Sequence, residues 1–237
     1  MKRIYKIALA LLVALLIIAL IFIIKSKAKK SVQVETGFAT EDELLSFLRK
    51  QTVKITCGEK HASGIIYEIN DDSVILLTAG HLCGDYEQGI IEFSTGNAGF
   101  GDIEVVTETP DMAILSFSRE YLEESILVNL RDSKVSLDEF DKLSLEDEVW
   151  LMGSSVSVAN NTTKCRVASK DFYVDEFDAR MLYLYGDVFP GMSGCGVFNN
   201  DGYLIGILVG GTEGGEAVCV PLSQIIQVME EYKNDKN

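Results

Sequence analysis

The chain has 237 residues, 47% of them hydrophobic and 24% charged, with a formal net charge of −15. That length suits one substantial domain plus an extension, and no fixed-period repeat or long low-complexity segment divides it. The charge is lopsided: residues 1–30 hold seven basic residues and no acidic one, leaving 14 basic against 36 acidic residues over 31–237, a formal balance of −22, which repels phosphate backbones and argues against a nucleic-acid partner.

The first element in the chain is apolar without interruption from Ile7 to Ile24. Eighteen helical residues span roughly 27 Å, about the thickness of a hydrocarbon core. A helix apolar on every face does not suit a domain of this size. The run is longer than a usual signal-peptide core, and the only small-x-small site, Ser26-Lys27-Ala28, lies among lysines. Residues 1–30 are therefore expected to form a single-pass membrane anchor through residues 4–24. Lys2, Arg3 and Lys6 precede the run, and Lys25, Lys27, Lys29 and Lys30 follow it. A very short tail before a large domain fits a signal anchor that leaves the domain outside the cytoplasm.

Residues 31–50 read as a linker and a short helix. In "TEDELLSFLRK", Thr40 and Glu43 make a capping box, and Leu44, Leu45, Phe47 and Leu48 supply an apolar stripe. From Val53 the period changes to two. A dozen short runs such as "VKITC", "SVILLTAG", "MAILSF", "EVWLMGS" and "YLIGILVGG" are separated by turn residues, among them Asn70-Asp71-Asp72 and Asn199-Asn200-Asp201-Gly202. That pattern predicts an all-β barrel or sandwich over 51–237. The chain closes on "PLSQIIQVMEEYKNDKN", a helix with Ile225, Ile226, Val228 and Met229 available to pack.

Three places carry residues suited to nucleophilic catalysis. Ser193 stands in "GMSGCG" between glycines, a pattern that also serves any tight bend. Of two histidines, His61 lies in polar "CGEKHASG", read as an exposed hairpin, whereas His81 follows the apolar strand "SVILLTAG". An imidazole just past a buried strand is held on a rigid scaffold. Asp111, in "TPDMAILSF", stands where a turn enters another apolar strand. Five cysteines, Cys57, Cys83, Cys165, Cys195 and Cys219, form no C-x-x-C and no metal-ligand spacing. No metal and no cofactor is expected.

The "TAGH" of Thr78 to His81, the "DMAIL" of Asp111 to Leu115 and "GMSGCGVFNNDGYLIGI" from Gly191 to Ile207 occur in that order. Together they resemble the trypsin-like serine proteases of the chymotrypsin clan, most of all compact bacterial Deg-type members without a PDZ module. The resemblance covers roughly residues 50–233. It implies two six-stranded antiparallel β-barrels with a C-terminal helix, and an endopeptidase acting on peptide or protein substrates. His81, Asp111 and Ser193 would be the catalytic triad, with the N–H groups of Gly191 and Ser193 as the oxyanion hole. Asp187, six residues before Ser193, would lie at the floor of a primary specificity pocket, or else be a plain surface residue; Gly210 and Gly211 would leave the pocket wall open. Cys57 and Cys83 would be disulfide partners. No PDZ module fits after Asn237.

The sequence departs from that family twice. Met192 replaces the aspartate that trypsin-type zymogen activation uses, and Cys195 replaces the second glycine of Gly-x-Ser-Gly-Gly. The other reading is a catalytically inactive binding module on the same fold. Inactive relatives usually lose a triad residue, and all three candidates are present here. A surface of this charge serves solubility, and its sharper consequence is a preference for cationic peptides.

Overall fold

The two-residue periodicity from Val53 onward builds strands that close on themselves. The computed structural model describes residues 37–153, 161–212 and 214–236. The anchor predicted for residues 1–30 lies outside them. Among the described residues no helix is long and apolar enough to cross a membrane.

Helix α1 (Glu41–Arg49) begins as predicted: the Thr40 side chain accepts from the Glu43 N–H at 3.2 Å. The Glu43 carboxylate reaches back to the N–H of Ala39, at 3.0 Å, rather than to that of the cap residue. Leu44 and Leu48 are buried, with Leu45 and Phe47 packed beside them.

The first sheet is a closed antiparallel barrel in the order β1-β2-β3-β6-β5-β4. Its strands are β1 (Thr52–Cys57), β2 (Lys60–Ile69), β3 (Ser73–Thr78), β4 (Gln88–Phe93), β5 (Ala98–Thr107) and β6 (Met112–Ser118). A four-residue helix, α2 (Gly80–Cys83), leaves the end of β3. Ile55, Ile65, Leu76, Ile91, Ile114 and Phe117 are buried in the core. Each fully buried side chain of this size is worth about 1.5–3 kcal/mol against exposure.

The second sheet contains β8 (Glu148–Gly153), β9 (Asn161–Val174), β10 (Ala179–Tyr185), β11 (Gly196–Phe198), β12 (Tyr203–Thr212) and β13 (Glu216–Pro221). Because β11 pairs with both β8 and β12, these six close a ring. A seventh strand, β7 (Lys134–Val135), joins β12 in parallel, so this sheet has seven strands rather than the six expected. Two residues inside a polar connecting segment carry no readable alternation; the pairing comes from β12. Helix α3 (Leu222–Asp235) buries Leu222, Ile225, Val228 and Met229 and packs on β12 and β13. It also reaches the first barrel: Lys233 pairs with Glu68 at 2.6 Å and Lys236 with Glu104 at 2.9 Å.

Candidate active site

His81 lies in the first turn of α2, directly after the buried strand β3. The residue before it has no room for a side chain. A Cβ on Gly80 would come within 2.6 Å of the Thr107 carbonyl and 3.0 Å of Asp111 Oδ1. That closeness lets Asp111, at the entrance to β6, hold His81 twice. Its Oδ1 accepts from the His81 main-chain N–H at 2.7 Å, and its Oδ2 lies 2.6 Å from the ring Nδ1. Asp111 is buried, while the His81 side chain is 45% exposed. An ionised carboxylate can only accept, so Nδ1 carries the proton and the neutral ring keeps its lone pair on Nε2. A proton-accepting nitrogen on a fixed ring is the requirement for a general base.

Ser193 stands, half-buried, in the turn that leads into β11. Gly191 at φ 89° and Gly194 at φ 86° hold the backbone in a region that side chains disfavour. Met192 N–H donates to the Phe189 carbonyl at 3.0 Å, and Gly194 N–H to the Leu208 carbonyl at 2.7 Å. Among the described residues, the N–H groups of Gly191 and Ser193 donate to no acceptor. Two uncommitted donors beside a serine hydroxyl can receive a developing oxyanion.

The turn is docked on the first barrel through Ser63 of β2. The Ser63 N–H donates to the Ser193 carbonyl at 2.9 Å, and its hydroxyl donates to the Gly191 carbonyl at 2.8 Å. The Ser63 carbonyl in turn accepts from the Thr78 hydroxyl at 2.7 Å, three residues before His81. Contact is tight: a Cβ on Gly194 would lie 2.1 Å from both the Ser63 carbonyl oxygen and Thr78 Oγ1. Ser193 and His81 are thus carried by backbones that touch through Ser63 and Thr78. Ser193 Oγ makes no hydrogen bond, to His81 or otherwise, among the described residues.

The remaining candidates are placed as follows. Met192 is fully buried against the Gly153 position, where an aspartate would be an unpaired charge. Cys195 is fully buried and burial pushes its thiol well up, so it is an inert packing residue. Burial, with the Asp187 carboxylate nearby, likewise pushes Cys165 up to about 12. Asp187 itself is exposed, beside Gly215. A Cβ on Gly211 would meet Val188 at 2.2 Å, and one on Gly210 would meet the Phe177 ring at 3.2 Å. His61 is exposed on β2, its Nδ1 3.0 Å from the Thr56 hydroxyl, and takes no part.

Cys57 and Cys83 are brought together but not bonded. Their sulfurs lie 3.7 Å apart and both are free thiols, so the expected disulfide is not formed here. The hydrogen bond between Cys57 and Cys83 and the charge of Lys60 hold the Cys57 thiol below its ordinary value, although burial opposes them; its partner is pushed up.

A cleft of about 740 Å³ opens beside His81 and Asp111. Thr107 lines it from the first barrel, and Phe177 and Val209 from the second. Asp187, Gly210 and Gly211 are not among its walls. Sequence reading missed Ser63 as a positioning residue. Its one signal is a small hydroxyl residue in "ASGIIYEI", at the start of the run Ser63 to Ile66.

The family model for the trypsin-like peptidase domain matches residues 62–207, an interval containing Ser63, His81, Asp111 and Ser193. Among solved structures, the chain is similar to the serine endoprotease from Yersinia pestis, with 18% identity and a TM-score of 0.67 over 84% of this chain and 69% of that one. The HtrA-type protease AlgW with tripeptide matches with 18% identity and a TM-score of 0.67, over 79% of this chain and 61% of that one. Rv3671c from M. tuberculosis H37Rv, in an inactive form, matches with 10% identity and a TM-score of 0.66, over 83% and 93%. At these identities the likeness concerns the fold. No curated protein sequence matches the chain.

Proposed function

We propose that this chain, which belongs to the trypsin-like peptidase family, is a serine endopeptidase held at a membrane by residues 4–24. The observation that carries the reading is the double hold of Asp111 on His81, on a strand end to which the Ser193 turn is docked. Ser193 Oγ attacks the scissile carbonyl while His81 Nε2 takes its proton. Asp111 keeps the Nδ1–H and stabilises the imidazolium. The carbonyl oxygen, now an oxyanion, accepts from the N–H groups of Gly191 and Ser193. Removing one such donor typically costs about 3 kcal/mol in the barrier. Collapse returns the proton from Nε2 to the leaving amine and leaves an acyl-enzyme on Ser193. Water, deprotonated by the same Nε2, then releases the acid.

Met192 supplies no carboxylate for a new N-terminus to pair with, so activity would not await N-terminal cleavage. The test is covalent labelling of the full chain, in detergent micelles, with a fluorophosphonate. Wild type is expected to label, and Ser193→Ala and His81→Ala to stay unlabelled. A folded wild-type chain that does not label would overturn the endopeptidase reading.

A further inference from the structure

The two donors assigned to the oxyanion are the N–H groups of Gly191 and Ser193, and one residue of the other barrel holds the carbonyls of both. Ser63 donates its main-chain N–H to the Ser193 carbonyl at 2.9 Å and its hydroxyl to the Gly191 carbonyl at 2.8 Å. The two grips differ in origin. The first is backbone, which any residue but proline supplies. The second needs a side-chain hydroxyl at this one position. Gly191 depends on it. Among the described residues, the Ser63 hydroxyl is the one hydrogen-bond partner of Gly191. The bond that closes the turn, from the Met192 N–H to the Phe189 carbonyl at 3.0 Å, lies within the loop and moves with it. Glycine adds no side-chain restraint, and at φ 89° it occupies one of several backbone regions open to it.

The hydroxyl itself is confined. Ser63 is fully buried, and a Cβ on Gly153 would lie only 2.9 Å from its Oγ. A buried hydroxyl is costly unless it is hydrogen-bonded. A serine packed beside Ala62, Ile65 and Ile66 is therefore tied to the acceptor it has.

We infer, resting on the endopeptidase reading, that the Ser63 hydroxyl positions the oxyanion hole. It aims the Gly191 N–H at the developing oxyanion, acting through the Gly191 carbonyl and touching no substrate. Ser63→Ala cuts this grip and leaves the other. The Ser193 turn stays docked by the Ser63 N–H, and the Asp111–His81 pair is untouched, while Gly191 loses its anchor. Removing an oxyanion donor lowers the rate about 10²–10³-fold, and a displacement of about 1 Å can cost a hundredfold. The loss expected for Ser63→Ala is about a hundredfold, confined to the bond-forming step.

The experiment follows an alkyl fluorophosphonate reacting with the full chain in detergent micelles. Wild type, Ser63→Ala and Ser63→Cys are compared for the rate at saturating probe (kinact), the half-saturating probe concentration (KI) and the dependence of rate on pH. For Ser63→Ala, kinact is expected to fall about a hundredfold. KI and the pH of half-maximal rate are expected to match wild type, with the melting temperature lowered by only about 2–4 °C. Ser63→Cys keeps the volume and offers only a weak donor, so its kinact is expected to fall between the two. A general loosening of the fold would instead weaken probe binding or move the pH profile. A kinact for Ser63→Ala equal to wild type, or a loss that appears in KI or in the pH profile, would overturn the inference. If Ser63→Ala does not fold, Ser63→Cys decides in the same way: a lowered kinact with KI and pH profile kept supports the inference, and an unchanged kinact overturns it. When wild type labels and both variants label equally fast, only the role of Ser63 is lost. A folded wild-type chain that never labels loses the endopeptidase reading, and this inference with it.

Discussion

Replacing Asp111 by asparagine tests the double hold on His81 with almost no change of shape. In the wild type both carboxylate oxygens accept, one from the main-chain N–H at 2.7 Å and one from the ring Nδ1–H at 2.6 Å. Asparagine keeps one acceptor and turns the other atom into a donor. If its oxygen faces the main-chain N–H, its NH₂ faces Nδ1 and must donate to it. The ring proton then moves to Nε2, and the nitrogen needed by Ser193 is no longer a base. If the amide is turned over, two N–H groups face each other and a buried donor goes unpaired, at about 1–3 kcal/mol. The first arrangement wins, and it holds the wrong tautomer. In Ser-His-Asp enzymes that tautomer lowers kcat about 10⁴-fold, or about 5.5 kcal/mol in the barrier. The second-order rate of fluorophosphonate labelling is expected to fall by about that factor, with the melting temperature moved by only about 2–4 °C per kcal/mol lost. An Asp111→Asn chain that labels within tenfold of wild type would show that the pair is structural only.

Gly194→Ala places a Cβ 2.1 Å from the Ser63 carbonyl oxygen and Thr78 Oγ1, at φ 86°. Strain plus overpacking is expected to cost about 2–5 kcal/mol in thermal unfolding, and an unchanged melting temperature would mean that the two backbones are not in contact. Cys195, fully buried with its thiol pushed up by burial, is expected to resist iodoacetamide at pH 8 until guanidinium is added; rapid native alkylation, read by peptide mass spectrometry, would contradict that placement. Burial opposes ionisation of Glu104, but hydrogen bonds from Ser116 and Lys236 outweigh it and hold its carboxyl below the ordinary value. The stabilisation is therefore present above the usual carboxylate range and lost as pH falls through it. Glu104→Gln is expected to cost about 0.5 kcal/mol at neutral pH, after allowing for solvent screening, and to flatten acid unfolding; an unaltered pH profile would remove Glu104 from the acid response.

The barrels were legible because their strands carry strong local signals. "SVILLT" and "MAILSF" are apolar runs too short for helices, and turn residues bound them. The cap of α1 was equally plain, since Thr40 acts on atoms three residues away. His81, Asp111 and Ser193 came from motif order, and the structure puts the first two in direct contact. The strand β7 was not legible: two residues, Lys134 and Val135, have no pattern, and their pairing depends on β12, nearly seventy residues later. The same holds for Asp187. Its spacing from Ser193 suggests a pocket floor, but pocket depth depends on how the chain is routed past Val188 and Gly211. Routing of that kind is long-range geometry, to which one-dimensional spacing is blind.

Ser63 marks the same limit at the centre of the site. A nucleophile on one barrel and a base on the other need a common reference, because independent shifts of the barrels would separate them. Displacement of about 1 Å can cost a hundredfold in rate. Here the reference is a short chain of hydrogen bonds, from the Ser193 carbonyl to the Ser63 N–H and from the Ser63 carbonyl to the Thr78 hydroxyl. All but one of these atoms belong to the main chain, so the sequence records the link only as permission: small residues at 63 and 194, and a hydroxyl at 78. Glycine at 194 is required because the Ser63 carbonyl and Thr78 hydroxyl already occupy the space of its side chain. The candidate catalytic residues declare themselves by chemistry. The contact that would bring them into register is made of backbone, and it becomes visible only when both barrels are built.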